Sequence, residues 1–353
     1  DTLVVDGSLQ KPDVNNPHLE VMQERGFEHE RNYIEYLEKQ GLSFSSAEAS
    51  EDEDAYQITK KLMKEGVDII TQGVLKLKGW YGRSDILLKV KRASNLGDYS
   101  YVVMDTKLSR ETKAGSIMQL CLYSEMLEVI QGVMPDEMYV VTPGEEDTFN
   151  EELYRVDDYQ AYYRLVRDNL IAAIGDINVY PEPVSHCDVC RWWESCNNKR
   201  RDDDHLSLVA NITKSQRKEL EAIDVNSMKD LASVDIERFK ELPSGTNLKS
   251  LEMAREQARV QVEAREEGEL KHELIPLEDG RGLSRLPESN AGDLFFDIEG
   301  DTFVGRHGLE YLLGITFFEG DEQKYHGIWA TNPKSEKQAF VDFMKLIIDR
   351  IER

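Results

Sequence analysis

Residues 102–109 read "VVMDTKLS". An apolar run here ends in an acid, a threonine and a lysine. On a β-strand Asp105 and Lys107, two residues apart, share one face. Placing both charges there costs desolvation free energy unless they bind something together. The preceding strand signal, "GWYGRSDILLKV" (79–90), sets Asp85 at the head of a second apolar run. From a neighbouring strand Asp85 can face Asp105. Two carboxylates brought together repel one another unless a cation lies between them. Hard oxygen ligands suit Mg²⁺ or Mn²⁺. Lys107 then sits beside the ion, where it can orient or help deprotonate a water, or stabilise charge developing on a phosphate. The plainer readings are a strand-edge cap for Asp85 and a salt bridge across a pleat for Asp105 and Lys107.

The flanking segments set these residues in order. "NPHLEVMQERGFEHERNYIEYLEKQG" (16–41) has helical spacing and ends at a glycine, with His29 in mid-helix. A neutral imidazole there can supply a further metal ligand, although a helix histidine is also common as surface or satisfied core. "AEASEDEDAYQ" reads as an acidic surface stretch before a short helix around 58–64. Three strands follow, at 67–77, 81–90 and 99–108, as an antiparallel meander. A helix is expected over 114–132, a buried strand at "DEMYVVTPG" (136–144), and helix again over 151–174. Within the first of these helices Gln119 and Tyr123 are spaced i, i+4 and share a face, which can hold a phosphate backbone or position the lysine.

A strand Asp, then D-x-K, then Q-x-x-x-Y, with a His on the first helix, resembles the RecB-type branch of the PD-(D/E)XK nuclease superfamily. The element order resembles that family's core, a restriction-endonuclease-like α/β fold with a mixed sheet flanked by helices. The resemblance spans residues 16–200. It implies that His29, Asp85, Asp105 and the Thr106 backbone carbonyl hold Mg²⁺ or Mn²⁺. It further implies that Lys107 serves catalysis, that Gln119 and Tyr123 form the auxiliary motif, and that the substrate is DNA with single-stranded ends.

Three of the four cysteines fall in ten residues, "CDVCRWWESC" (187–196). The spacing Cys187-x2-Cys190-x5-Cys196 points to zinc or iron–sulfur ligation in a reducing, cytoplasmic compartment. Cys121 reads as a small core residue. The family resemblance implies a 4Fe–4S cluster whose remaining cysteine lies upstream of the core, outside this chain; zinc is the alternative.

Composition shifts after residue 200. Residues 205–275 are helical and charged, and they faintly resemble a helix–hairpin–helix element, with "ELPSGTNLKSLEMAREQ" as its better candidate. Residues 276–292 are polar and loop-like. "FFDIEGD" (295–301) puts Asp297 and Glu299 on one face of a strand, with "GLEYLLGITFFEGD" as its hairpin partner. This resembles the first motif of RNase H-like exonucleases, whose later acidic residues do not appear, and marks a second candidate site. The expected organisation is therefore a nuclease domain at 1–200, a helical connector at 201–283 and the front of an RNase H-like α/β domain at 284–353.

The net charge of −25 weighs against nucleic acid in general. Residues 75–113 nevertheless hold nine basic and four acidic residues, a basic stripe around the D-x-K motif. No run of apolar residues is long enough for a membrane span. The chain begins at Asp1 and stops within an apparent amphipathic helix, so it reads as the front of a longer protein, with a helicase region expected in cis. The non-enzymatic alternative is a module, stapled by its cysteines, that binds nucleic acid or a partner protein.

Overall fold

The computed structural model describes residues 12, 17–49, 51–109, 111–144, 148–176, 179–243, 247–302, 304 and 307–351. The protein is mixed α/β. Its larger sheet has six strands in the order β1-β2-β3-β4-β5-β6, and a second sheet has three in the order β7-β8-β9. The chain divides into two compact units. One comprises Asp1–Met104, Ala114–Met138 and Tyr154–Ile275; the other comprises Asp105–Lys113, Tyr139–Leu153 and Pro276–Arg353.

The first helix, α1 (Pro17–Glu38), buries Glu30, Tyr33 and Leu37, a stripe of helical spacing. The strand β1 (Phe44–Ser46) is only three residues long and was not expected. It pairs parallel with β2 (Ile69–Leu77). Its anchor is reciprocal. Asp68 Oδ2 accepts from Ser43 N–H at 3.0 Å and from Ser43 Oγ at 2.6 Å, while Asp68 N–H donates to Ser43 Oγ at 2.9 Å.

Between these strands runs α2 (Asp52–Glu65), which starts well before the expected residue 58. Its acidic residues Asp52, Glu53 and Asp54 occupy the first turn, where the helix dipole favours them. The acidic surface stretch thus includes a helix start. Gly66 closes the helix at φ 74°, in the left-handed region glycine tolerates. On its inner face Thr59 Oγ accepts from Val74 N–H at 2.9 Å, tying the helix to β2.

The meander is as read: β3 (Trp80–Val90) pairs antiparallel with β2 and with β4 (Ser100–Thr106). Every residue of β4 is buried, as expected of a strand covered on both faces. The following helix, α3 (Ala114–Gln131), is apolar around most of its girth and buries Ile117, Leu120, Met126 and Leu127. Its last residue, Gln131, is fully buried and takes the place of a strand neighbour. Its Oε1 accepts from Tyr101 N–H at 2.8 Å, and its Nε2 donates to the carbonyls of Tyr101 (3.1 Å) and Val133 (3.0 Å).

β5 (Glu137–Pro143) matches the expected buried strand. The stretch expected to be helical over 151–174 divides instead into β6 (Phe149–Arg155) and α4 (Val156–Gly175). "NEEL" favours helix locally, but sheet pairing overrides that weak preference. β6 is last in the sheet order and carries exposed charge, as edge strands do.

Cys196 lies on α5 (Trp193–Asp202), and beyond it come α6 (Lys214–Glu221), α7 (Met228–Ser233) and α8 (Leu248–Glu267). The last three close on their own apolar core, which includes Leu220, Leu231, Phe239, Leu251 and Ala258. Ser244 and Gly245 of the proposed hairpin lie outside the described residues.

In the other unit β7 (Leu294–Asp301), β8 (Leu309–Glu319) and β9 (Glu322–Trp329) form an antiparallel sheet. α9 (Pro333–Ile351) covers one face, with Ala339 and Phe343 against Leu313 and Ile315. Among the described residues no helix is long and apolar enough to cross a membrane.

Replacing Gln131 by Leu strands buried backbone groups of Tyr101 and is expected to cost about 2–4 kcal/mol in chemical denaturation. Asp68 gives a pH signature. Its hydrogen-bonded partners Lys89 and Ser43 hold its carboxyl down at about 2. A depressed carboxyl stabilises the fold fully above the usual Asp range and loses that contribution as pH falls toward its folded value. Thermal unfolding of Asp68→Asn against wild type should therefore show a gap at neutral pH that closes as pH falls below about 4.

Candidate active site

The β3–β4 ladder runs from Val90 opposite Ser100 to Ile86 opposite Met104. Continuing along each strand from that last pair, the next residues are Asp85 and Asp105. Asp105 is 1% exposed. Its Oδ2 is ion-paired to Lys107 Nζ, so the D-x-K pair shares one face as strand periodicity requires. Lys107 is fixed through its backbone, whose N–H donates to Val141 O at 2.8 Å. Thr106 is buried and ends β4.

The Gln–Tyr motif of α3 acts on β3. Gln119 Nε2 donates to Tyr123 Oη at 2.9 Å, and Tyr123 Oη donates to Arg83 O at 3.1 Å. The hydroxyl therefore grips the strand backbone two residues before Asp85. The tyrosine ring lies over Gly82, where an added Cβ would stand 2.2 Å from Cε1. Gly82 was not singled out from the sequence, yet the ring can reach Arg83 only across a residue without a side chain. The Arg83 side chain itself turns to Asp52 on α2, at 3.2 Å.

His29 lies half-buried on α1, one residue before the buried Glu30. Glu30 Oε1 accepts from Gln72 Nε2 at 2.5 Å. Neither Glu30 nor Gln72 was picked out from sequence. The available signal was an acid on the buried 30/33/37 stripe of α1.

The donor types suit a hard divalent cation: two carboxylates and the Thr106 carbonyl. Among the described residues the only group of three or more His, Cys, Asp or Glu ligand atoms lying within 4.8 Å of one another is Glu182, His205 and Glu221. Two of its three members are already engaged. Arg217 Nη2 pairs with Glu182 at 2.5 Å, and Ser207 N–H donates to His205 Nδ1 at 3.2 Å. The imidazole therefore keeps its proton on Nε2, toward Glu182, and burial holds its pKa below the usual histidine value. A cation there would meet the Arg217 guanidinium, so the group is a structural lock.

Five of the nine basic residues of the stripe are paired within the chain. Lys76 pairs with Glu53, Arg83 with Asp52, Lys89 with Asp68, Arg92 with Asp136, and Lys107 with Asp105.

Cys187, Cys190 and Cys196 are half-buried free thiols around a 3₁₀ turn at Ser185–Val189. Val184 N–H donates to Cys187 Sγ at 3.4 Å. Burial pushes the Cys196 thiol up, and the neighbouring Cys190 and Cys187 push it in the same direction. Cys121 is buried in α3, as read, and burial raises its thiol to about 11.

In the other unit Asp297 and Glu299 stand on one face of β7, opposite Gly314 and Leu312. Both line a cavity of about 470 Å³ together with Phe295, Thr316 and Tyr325.

No protein-family model matches the chain, and no curated protein matches it.

Gly82→Ala should force the Tyr123 ring off β3 and destabilise the fold by about 1–3 kcal/mol, as overpacking does. Tyr123→Phe, which keeps the ring and loses the grip on Arg83 O, should cost about 1 kcal/mol. Equal stability of Gly82→Ala and wild type in denaturant melts would contradict the packing described.

Proposed function

We propose that the protein is a metal-dependent deoxyribonuclease of the RecB-type PD-(D/E)XK kind, with a restriction-endonuclease-like core, acting on single-stranded DNA ends. One observation carries this reading. A buried carboxylate and a lysine are paired at the end of β4, where the fixed β3–β4 register also brings Asp85 to the end of its ladder.

Asp85, Asp105 and the Thr106 carbonyl, with His29 as a further ligand, would hold Mg²⁺ or Mn²⁺. When bound, the ion supplies a nucleophilic water at neutral pH and Lewis-acid polarisation of the phosphate. The remaining work falls to the protein. Burial of Asp105 strengthens its electrostatic interactions by excluding water. Lys107 Nζ, a donor already aimed at Asp105, can turn toward the scissile phosphate and offset the charge that builds there. Gln119 and Tyr123 hold β3 at Arg83 and so keep Asp85 in place. The cysteine triplet would hold a 4Fe–4S cluster completed from outside the chain, or zinc, as a staple. Asp297 and Glu299 form a second candidate metal pair in an RNase H-like domain, and a helicase region in cis belongs to the same proposal.

A second reading, a non-catalytic binding module, draws on the pairing of Lys76, Arg83, Lys89, Arg92 and Lys107 with acids of the chain itself.

The experiment is cleavage of a fluorescent single-stranded oligonucleotide with Mg²⁺ or Mn²⁺. Asp105→Asn and Lys107→Ala are each expected to lower the rate by about 10²-fold or more, while Asp297→Asn leaves it unchanged. Undiminished cutting by the first two variants overturns the assignment. DNA binding without cleavage by wild type favours the module.

A further inference from the structure

A left-handed residue in the middle of β2 deepens this reading. Gln72 has φ 53°, a conformation that non-glycine residues rarely adopt within a strand. The β2–β3 ladder pairs Thr71 with Ile86 and Gly73 with Ser84, and the pairing skips Gln72 and Asp85. The register is the same on both sides, so no residue has been inserted and this is not a β-bulge. The distortion falls opposite Asp85 and nowhere else along the two strands.

The surroundings hold the distortion in place. Gln72 Nε2 donates to Glu30 Oε1 at 2.5 Å, across 42 residues of sequence. Glu30 is 8% exposed, an unusual depth for an acid without a purpose-built partner. On the other side Gly73 carries no side chain, and a Cβ there would lie 2.8 Å from Leu87 Cδ1. Strain of this kind persists where the fold gains something local from it.

We propose that Glu30 and Gln72 are positioning residues for Asp85. The Glu30 carboxylate holds the Gln72 amide, the amide holds the left-handed backbone, and that backbone opens the strand pair at the one rung where Asp85 must turn toward a divalent ion. The inference rests on the nuclease reading for its ligand. It concerns orientation of the carboxylate, not a further ligand.

The test is Mn²⁺ binding by calorimetry on the full chain without nucleic acid, with the melting temperature of each variant as control. Gln72→Gly removes the side chain with its amide and leaves a residue that tolerates the left-handed backbone without being held in it. Glu30→Ala removes the acceptor, and Glu30→Gln keeps one. Gln72→Gly and Glu30→Ala are expected to bind Mn²⁺ about tenfold more weakly, with Gln72→Gly melting at or above the wild-type temperature. Glu30→Gln is expected to restore wild-type affinity. If Asp85→Ala loses Mn²⁺ while Gln72→Gly and Glu30→Ala bind like wild type, the positioning role is overturned and the nuclease reading stands. If Asp85→Ala binds as tightly as wild type, the metal reading itself fails, and this inference with it. Should Glu30→Ala not fold, Gln72→Gly alone decides. Equal loss in Glu30→Gln and Glu30→Ala overturns the acceptor role in favour of the carboxylate's charge.

Discussion

The register of β3 on β2 and β4 is the constraint from which the candidate site follows. Side chains alternate faces along a strand, so a slip of one residue would send Asp85 to the opposite face. Several independent contacts forbid the slip. Tyr123 fits over Gly82 and holds the Arg83 carbonyl. Gln131 completes the backbone hydrogen bonding of Tyr101 on β4. Thr59 caps the amide of Val74 on β2. Each device acts on backbone atoms rather than on a side-chain tip. Rigidity at the strand ends is what a metal site made of short carboxylates requires, because an Asp side chain has little reach of its own.

Much of this was legible in the amino-acid sequence because strand and helix periods differ. The strand candidates at 67–77, 81–90 and 99–108, with turn signals between them, marked the meander, and the i, i+4 spacing of Gln119 and Tyr123 marked one face of a helix. The misreadings have physical causes. The three-residue β1 is too short to show a period, and it owes its place to Ser43 and Asp68. The acids at 52–54 are exposed, as read, but charge density alone did not show that they open a helix. In β6 "NEEL" carries helix preference that edge pairing overrides. Gln72 was invisible because nothing in a sequence signals a left-handed glutamine. Glu30 was visible in principle, as an acid on a buried helical stripe.

Two other groups of chemically capable side chains clarify what a site needs. Glu182, His205 and Glu221 converge tightly, yet Arg217 already pairs with Glu182 and the Ser207 amide with His205. Convergence of ligands is therefore not sufficient. The three clustered cysteines present the reverse case, with apt chemistry at apt spacing and no fourth thiol nearby among the described residues, since Cys121 is committed to the core of α3. At Asp105 the buried carboxylate is balanced by a flexible lysine, a partner that can move aside when a cation or a phosphate arrives.

The most direct measurement is an anomalous-scattering map from crystals of the protein soaked in MnCl₂. The account predicts a manganese peak bounded by the carboxylates of Asp85 and Asp105, with Lys107 turned away from Asp105. A peak confined to Glu182, His205 and Glu221, or no peak at the ends of β3 and β4 under saturating Mn²⁺, would contradict it.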